Sequence, residues 1–476
     1  MPPEDLTRIE RRYMEQSDWQ IKENANVNLS YSGFIGYLLD NLLKDPEILS
    51  SYLPSSAVKA HIEGDIHIHK LPHSLFIPYC IGWSFGSILR KGLVTPSIVA
   101  RPAKHLETAI SHLVSFFFLA SQEWTGAQAI SALDLYLSPF VRTDNLDNKS
   151  VKQALQRLVY ELNYPSRLGY QSPFTNITIL LDTIPEFLRE TAIVGGKKVG
   201  ILEDFLEEAQ TITKNILTHY LEGDSKGKPF TFPIVTMMIT KKFDWNGSRW
   251  DGLTDEIFNL IAKRGTIYLL NGYATNIDAL YAMCCRLTID VDKVLSLSKM
   301  ISIRSDLEEL TEELRKHKQA YGVWALPDAT GSIGVVTINL PRIAISSFGD
   351  ESEFFDELQE KIHLAKEVLL VWRERYNKLL ERGFMPLTRI YLGTFVNHFN
   401  TIGLVGLPEA AANFLQNKEL WFDSSFKERK EAMFFMKKVV KCVRDLTEEF
   451  EEESGHPWNV EEVPAESTAY RLASLD

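Results

Sequence analysis

Cysteine is scarce: Cys80, Cys284, Cys285 and Cys442 are the only four in 476 residues, and none stands in the C-x-x-C spacing of a structural zinc site. A disulfide scaffold is excluded, and in a reducing cytosol the four are expected to be free thiols. No basic block or arm relieves the balance of 51 Lys and Arg against 63 Asp and Glu, and a net charge of −12 argues against a nucleic-acid polymer as partner. Long apolar runs are missing too. The longest, around Leu113 to Ala120, falls far short of the ~20 residues that cross a bilayer. The N-terminus MPPEDLTRIERRYMEQ lacks the apolar core of a secretory signal, so no membrane association and a cytoplasmic location are expected. There is no repeat, no low-complexity tract, no P-loop lysine and no Rossmann G-x-G-x-x-G.

What is there is an ordinary globular mix, 45% hydrophobic and 24% charged, long enough for a substantial core. Between Pro102 and Trp124, Leu106, Ile110, Leu113, Phe117 and Ala120 recur at steps of four and three, which predicts a helix. Phe116 and Phe118 widen its apolar surface. Such a helix is buried either in its own core or at a subunit interface, and both readings stay open at this point. Charged helices are expected at Asp306–Ala320, Glu353–Leu380 and Phe426–Glu452. Short β-rich runs at Thr175–Leu181, Phe230–Thr240, Thr266–Leu270, Leu287–Asp290 and Val335–Leu340 alternate with the helices, which indicates an α/β architecture. The segment from Pro464 to Asp476 starts as a helix and stops without Gly, Asn or Pro, so a C-terminal part is expected to be missing.

Several segments carry candidate chemistry. In His61-Ile-Glu-Gly-Asp-Ile-His-Ile-His69 the alternation puts His67 and His69 on one face of a strand, as ligands of a metal or substrate or as a hydrogen-bonded structural pair. A third metal ligand at suitable spacing is not evident. Cys80 has apolar neighbours that suggest burial, and a buried free Cys is ordinarily inert packing. Met283-Cys-Cys-Arg-Leu287 precedes a strand and is entered through the loop-like Asn271-Gly-Tyr. A cysteine there suits nucleophilic or radical chemistry, against the alternative of two structural thiols. Gly331-Ser-Ile-Gly leads into a strand that ends at Asn339, a weak nucleotide motif by itself. Ser467 and Thr468 stand at a helix start, where amides and hydroxyls hold phosphate oxygens or merely cap the helix.

Taken in order, these segments resemble the anaerobic (class III) ribonucleoside-triphosphate reductases of the glycyl-radical enzyme superfamily. The matching stretches are Lys22–Asn26, Gly64–His69, Pro102–His105, Gly126–Gln128, Gln171–Asn176, Met283–Arg286, Gly331–Gly334, Asn339–Arg342, Thr401–Gly403 and Pro464–Glu466, across residues ~18 to 476. The resemblance implies a ten-stranded α/β barrel whose central loop carries a cysteine beneath the substrate ribose. By position Cys285, before Arg286, matches the cysteine that becomes a thiyl radical and removes the ribose 3′ hydrogen. Cys80 matches the second active-site cysteine, which helps reduce the 2′ position after water leaves. Asn339 matches the asparagine near the ribose hydroxyls in formate-using members, which makes formate the expected reductant. Glu466, Ser467 and Thr468 match the triphosphate-binding helix start, and His67 and His69 are carried over as cavity-lining candidates. The Pro102–Trp124 helix falls where the family makes its dimer contact and binds effector nucleotides. That shifts the reading toward an interface, with Lys104 and Glu107 as effector contacts.

The family's C-terminal four-cysteine zinc site and radical glycine find no counterpart here, nor does its N-terminal ATP-cone. Gly169 lies in a different family segment and is not expected to bear the radical. The expectation is therefore the catalytic-barrel region, 1–476, of an anaerobic ribonucleotide reductase, binding ribonucleoside triphosphates and deoxynucleoside triphosphate or ATP effectors as a homodimer. It is expected to bind no metal, and to need a radical-SAM activase and a radical-bearing part in a longer chain or a separate subunit, so that alone it binds nucleotide without turning it over. A pyruvate formate-lyase-type enzyme and a non-catalytic nucleotide-binding paralogue are the alternatives. Against them stand the triphosphate-type helix start and the presence of Cys80, Cys285 and Asn339 together.

Overall fold

The computed structural model describes residues 6–22, 28–180, 188–239, 243, 245–246, 252–271, 280–283, 287–290, 330–463 and 465–476. The expected helix Asp306–Ala320, the Lys22–Asn26 motif beyond residue 22, and Cys284, Cys285 and Arg286 lie outside them. In chain order, the elements that position the site begin with α1 (Ser55–Glu63), β1 (Ile66–Ile68), β2 (Cys80–Trp83), α2 (Leu106–Ala120) and β3 (Gln128–Ile130). They continue with α3 (Leu133–Thr143), β4 (Thr175–Ile179), α4 (Leu206–Glu222), β5 (Ile234–Ile239) and β6 (Ile267–Asn271). The hairpin strands β7 (Leu280–Met283) and β8 (Leu287–Asp290) follow, then β9 (Thr330–Asn339) and α5 (Glu351–Glu381). Last come β10 (His398–Val405), α6 (Phe426–Ser454), β11 (Trp458–Glu462) and α7 (Glu466–Leu475).

The chain forms two compact units, one of residues 1–79, 332–379 and 398–476, the other of residues 80–331 and 380–397. In the second unit, β6, β5, β4, β3 and β2 are adjacent in that order and parallel throughout. Parallel strands need covering on both faces, and β2 to β5 read as buried runs accordingly, whereas β6 at the end of the row exposes Tyr268 and Leu269. On one face Trp83 packs edge-on against Phe116 of α2 and against Trp124, and its indole N–H donates to Gln128 Oε1 at 3.2 Å. In the first unit, β9 neighbours β10, β11 runs parallel to β10, and β1 pairs antiparallel with β9 so that His67 faces Thr337 in register.

The long helices follow from their sequence. α6 starts where Ser425 and Glu428 form a reciprocal capping box, with Ser425 N–H to Glu428 Oε2 at 2.8 Å, and it stops at Gly455, whose φ of +66° is left-handed. Its buried stripe, Ala432, Phe435, Val439, Val443, Leu446 and Phe450, keeps the three-and-four spacing. α2 gives a different outcome from the interface expectation. Leu106, Ile110, Leu113 and Phe117 are all at most 1% exposed within a single chain, so this seam is spent on its own core and cannot be a dimer surface. Truncating such a side chain typically costs about 2–5 kcal/mol. The opposite face is the more open one: Glu107 is exposed, and Ser111, His112, Ser115 and Phe118 are half-buried. No helix among the described residues is long and apolar enough to cross a membrane.

Candidate active site

Three histidines meet where α1 gives way to β1. The helix ends because Gly64 adopts φ +96°, and a side chain there would also press on the Arg342 guanidinium at 3.1 Å and on Leu475. The resulting turn lays His61 back over the strand, where its Nδ1 accepts the Ile68 N–H at 3.1 Å. His67 and His69 project on one side, as the alternation predicted, with ring centroids 4.6 Å apart, and His61 lies 5.5 Å from His67. His69 Nε2 is 2.7 Å from the Thr337 hydroxyl on β9. Sequence reading missed His61 because it extended the strand alternation backwards; the Gly-Asp pair after Glu63 is the helix stop that would have revealed it. Among the described residues no three His, Cys, Asp or Glu side chains converge in a way that could hold a metal ion. Burial pulls both His61 and His67 well below the usual imidazole range, with positive neighbours adding to the effect, so at neutral pH they are uncharged.

Asn339 closes β9 next to this row. It is buried, its backbone N–H bonds Asp65 O at 3.0 Å, and its Nδ2 donates to Gly64 O at 3.0 Å and to the Asp476 carboxylate at 3.1 Å. These bonds use the amide hydrogens and leave Oδ1 as the atom for an incoming hydroxyl donor. Arg342 and Lys361 steady the same turn through Asp65, at 3.1 and 3.2 Å.

α7 completes the group. Its N-cap is Ala465, which makes no side-chain cap, so Ser467 and Thr468 sit inside the first turn instead of acting as the cap. Thr468 is buried and Ser467 is half-buried; the Glu466 side chain lies outside the described residues. One turn on, the Arg471 guanidinium donates to the His61 carbonyl and lies 3.4 Å from His67 Nδ1, which ties the helix to the histidine row. Burial lowers Arg471 to about 10, which still leaves it charged at neutral pH.

Cys80 belongs to the other unit and opens β2. The expectation of burial is corrected here: Ile81, Gly82 and Trp83 are buried, but Cys80 at the strand's first position is half-exposed. Its backbone is approached so closely that a Cβ on Gly331 would stand 2.0 Å from the Cys80 carbonyl oxygen, which explains a glycine at the start of β9. Cys285 lies outside the described residues, flanked by β7 and β8, which pair antiparallel with Met283 opposite Leu287. Lys104 and Glu107 are exposed at the start of α2, whose first turn is capped by Asp144, 2.8 Å from His105 and 3.0 Å from the Leu106 N–H.

The group thus brings together imidazoles, one amide and one guanidinium, with the start of α7 on the same helix as Arg471. The family model "Anaerobic ribonucleoside-triphosphate reductase" matches residues 23–476. Curated relatives carry the same name: the Escherichia coli protein is 22% identical over all of this chain and 68% of its own length, and the Salmonella typhimurium protein 21% over the same shares. Among solved structures, the Thermotoga maritima anaerobic ribonucleotide reductase with glycerol in its active site aligns with TM-score 0.74 and 22% identity, covering 99% of this chain and 74% of that one. The same enzyme in complex with dATP and CTP aligns with TM-score 0.68 at 22% identity, covering 99% and 75%. Fold and site thus define a mixed α/β oxidoreductase of the glycyl-radical class. The chain belongs to the anaerobic ribonucleoside-triphosphate reductase family, which sets aside the formate-lyase-type and non-catalytic alternatives.

Proposed function

We propose that this chain provides the catalytic barrel of a reductase that converts ribonucleoside triphosphates to 2′-deoxyribonucleoside triphosphates. The observation that carries the reading is the grouping, within one unit, of His67, His69, Asn339 and α7, which reaches His67 through Arg471 and Asn339 through Asp476, with each of the three segments matching the family. Ser467, Thr468 and the amides of the α7 start hold the phosphates, with Glu466 at the same turn. Asn339 Oδ1 accepts a ribose hydroxyl, and His67 and His69 line the cavity. A glycyl radical generated by a radical-SAM activase would take the hydrogen atom of the Cys285 thiol, breaking S–H and forming C–H, to leave a thiyl. Cys285 then takes the 3′ hydrogen, the 2′ hydroxyl leaves as water, and Cys80 delivers hydrogen to C2′. With formate as reductant the balance closes: ribonucleotide, formate and a proton give deoxyribonucleotide, carbon dioxide and water. Radical steps need a dry, enclosed cavity, which a ten-stranded barrel provides.

Effector nucleotides bind near Lys104 and Glu107 in a cytoplasmic homodimer that uses the open face of α2, and they couple to substrate choice by linkage. The Thermotoga maritima enzyme with dATP bound in its specificity site supports an effector site in this fold. The test is ligand-dependent stability of the chain. Each ribonucleoside triphosphate it binds should stabilise it by about 2.7 kcal/mol at one hundred times the dissociation constant. S467A/T468V should weaken that effect, and a melting temperature unmoved by all four ribonucleoside triphosphates would overturn the reading.

A further inference from the structure

Arg471 falls outside every motif that marks the family in this sequence, yet it is the residue that joins α7 to the histidine row. Its guanidinium lies 3.4 Å from His67 Nδ1 and also donates to the carbonyl of His61. A guanidinium has donors only, so the nitrogen facing it must be bare and the proton of neutral His67 must sit on Nε2. His61 is fixed in the same sense by the Ile68 N–H at its Nδ1. The groups facing His67 are His61, His69, Arg471 and Lys70, all neutral or positive, and none stabilises an imidazolium.

We infer that Arg471 is a positioning residue: it holds His67 as an Nε2–H donor, aimed at an oxygen acceptor of the bound nucleotide, and locks the phosphate-binding turn of α7 to that donor. The inference rests on the reading of His67 as a cavity-lining residue. A neutral imidazole left to itself interconverts between two tautomers, and in the Nδ1–H form the ring would present a lone pair to the nucleotide oxygen. Arg471 removes that population. Because Thr468 and Arg471 are three residues apart on one helix face, the residue that orients His67 also sets the height of the phosphate turn above the ribose.

The experiment uses the full chain labelled with 15N-histidine, with the His67 signals assigned by comparison with H67Q. In the unsubstituted chain His67 should be a single Nε2-protonated tautomer from pH 6 to 8. In R471M, which keeps the aliphatic stem and loses the donors, the two tautomers should mix, and the affinity for CTP should fall by about fivefold, the scale of one net hydrogen bond. R471K, which keeps a donor-only cation on a similar stem, should restore the single tautomer and most of the affinity. A folded R471M with the unsubstituted chain's His67 spectrum would overturn the inference. If R471M does not fold, R471K decides, and mixed tautomers in R471K would overturn it. Mixed tautomers in R471M with unchanged CTP affinity would support the positioning and overturn the reading of His67 as a nucleotide contact.

Discussion

Replacing Asn339 tests what its amide does for the fold. In Asn339→Ala the Nδ2 bond to Gly64 O, 3.0 Å long and buried, disappears and leaves a carbonyl without its partner, a loss of about 1–3 kcal/mol. Asn339→Asp is worse at neutral pH. It turns a donor into an acceptor that faces both the Gly64 carbonyl and the Asp476 carboxylate, the latter at 3.1 and 3.4 Å. Arg342 is already engaged by Asp476 and Asp65, at 2.6 and 3.1 Å, and has no charge to spare. The new carboxyl should therefore have its folded pKa raised above the unfolded value of about 3.9. The sign follows: below about pH 4 both states are protonated and the ionisation penalty is absent, whereas as pH rises the unfolded chain ionises first and stability is lost until the folded pKa is passed. With a raise of about two units the added deficit at pH 7.5 is about 3 kcal/mol, on top of the lost bond. Urea unfolding of the unsubstituted chain, N339A and N339D at pH 5 and pH 7.5 measures this. An N339D deficit that is equal at the two pH values, or smaller than that of N339A at pH 7.5, would refute the reasoning.

Further outcomes follow from the same geometry. Asp134 on α3 is fully buried and accepts from the Leu180 N–H and the Thr213 hydroxyl, each at 3.3 Å, yet burial pushes its carboxyl up to about 7. Its raised pKa should cost the unsubstituted protein a few kcal/mol of stability between about pH 4 and pH 7, and D134N should flatten that slope in a denaturation series. G331A should lose about 3 kcal/mol or fail to fold, because the Cβ would meet backbone and not a flexible side chain; equal melting temperatures would contradict the contact with Cys80. Sedimentation at micromolar protein, with and without deoxynucleoside triphosphates, should show a dimer. F118E on the open face of α2 should dissociate it, while L113A should lower stability without abolishing association.

Some of this was legible in the sequence and some was not, for physical reasons. The charge-rich pattern found α6 to within two residues at its end, and the alternation of His67 and His69 survives in β1. β9 was read five residues too short, because Gly331 and Gly334 look like loop glycines. In the strand they are close-approach positions, where a Cβ would strike the Cys80 backbone or the Trp372 ring, and only the neighbouring chain reveals that. The stripe of α2 is the same pattern for a core and for an interface, and burial alone separates the two. Arg471 and His61 carry no periodic or motif signal, since their meeting depends on the turn at Gly64.

The central claim is that Cys285 carries the radical step. The direct measurement is deoxyribonucleotide formation from a ribonucleoside triphosphate with formate, by the chain completed with a radical-bearing part and activated, in the unsubstituted protein and in Cys285→Ala, with folding checked by thermal unfolding. The account predicts turnover that disappears in C285A while the melting temperature hardly moves. Retained turnover in C285A would contradict it.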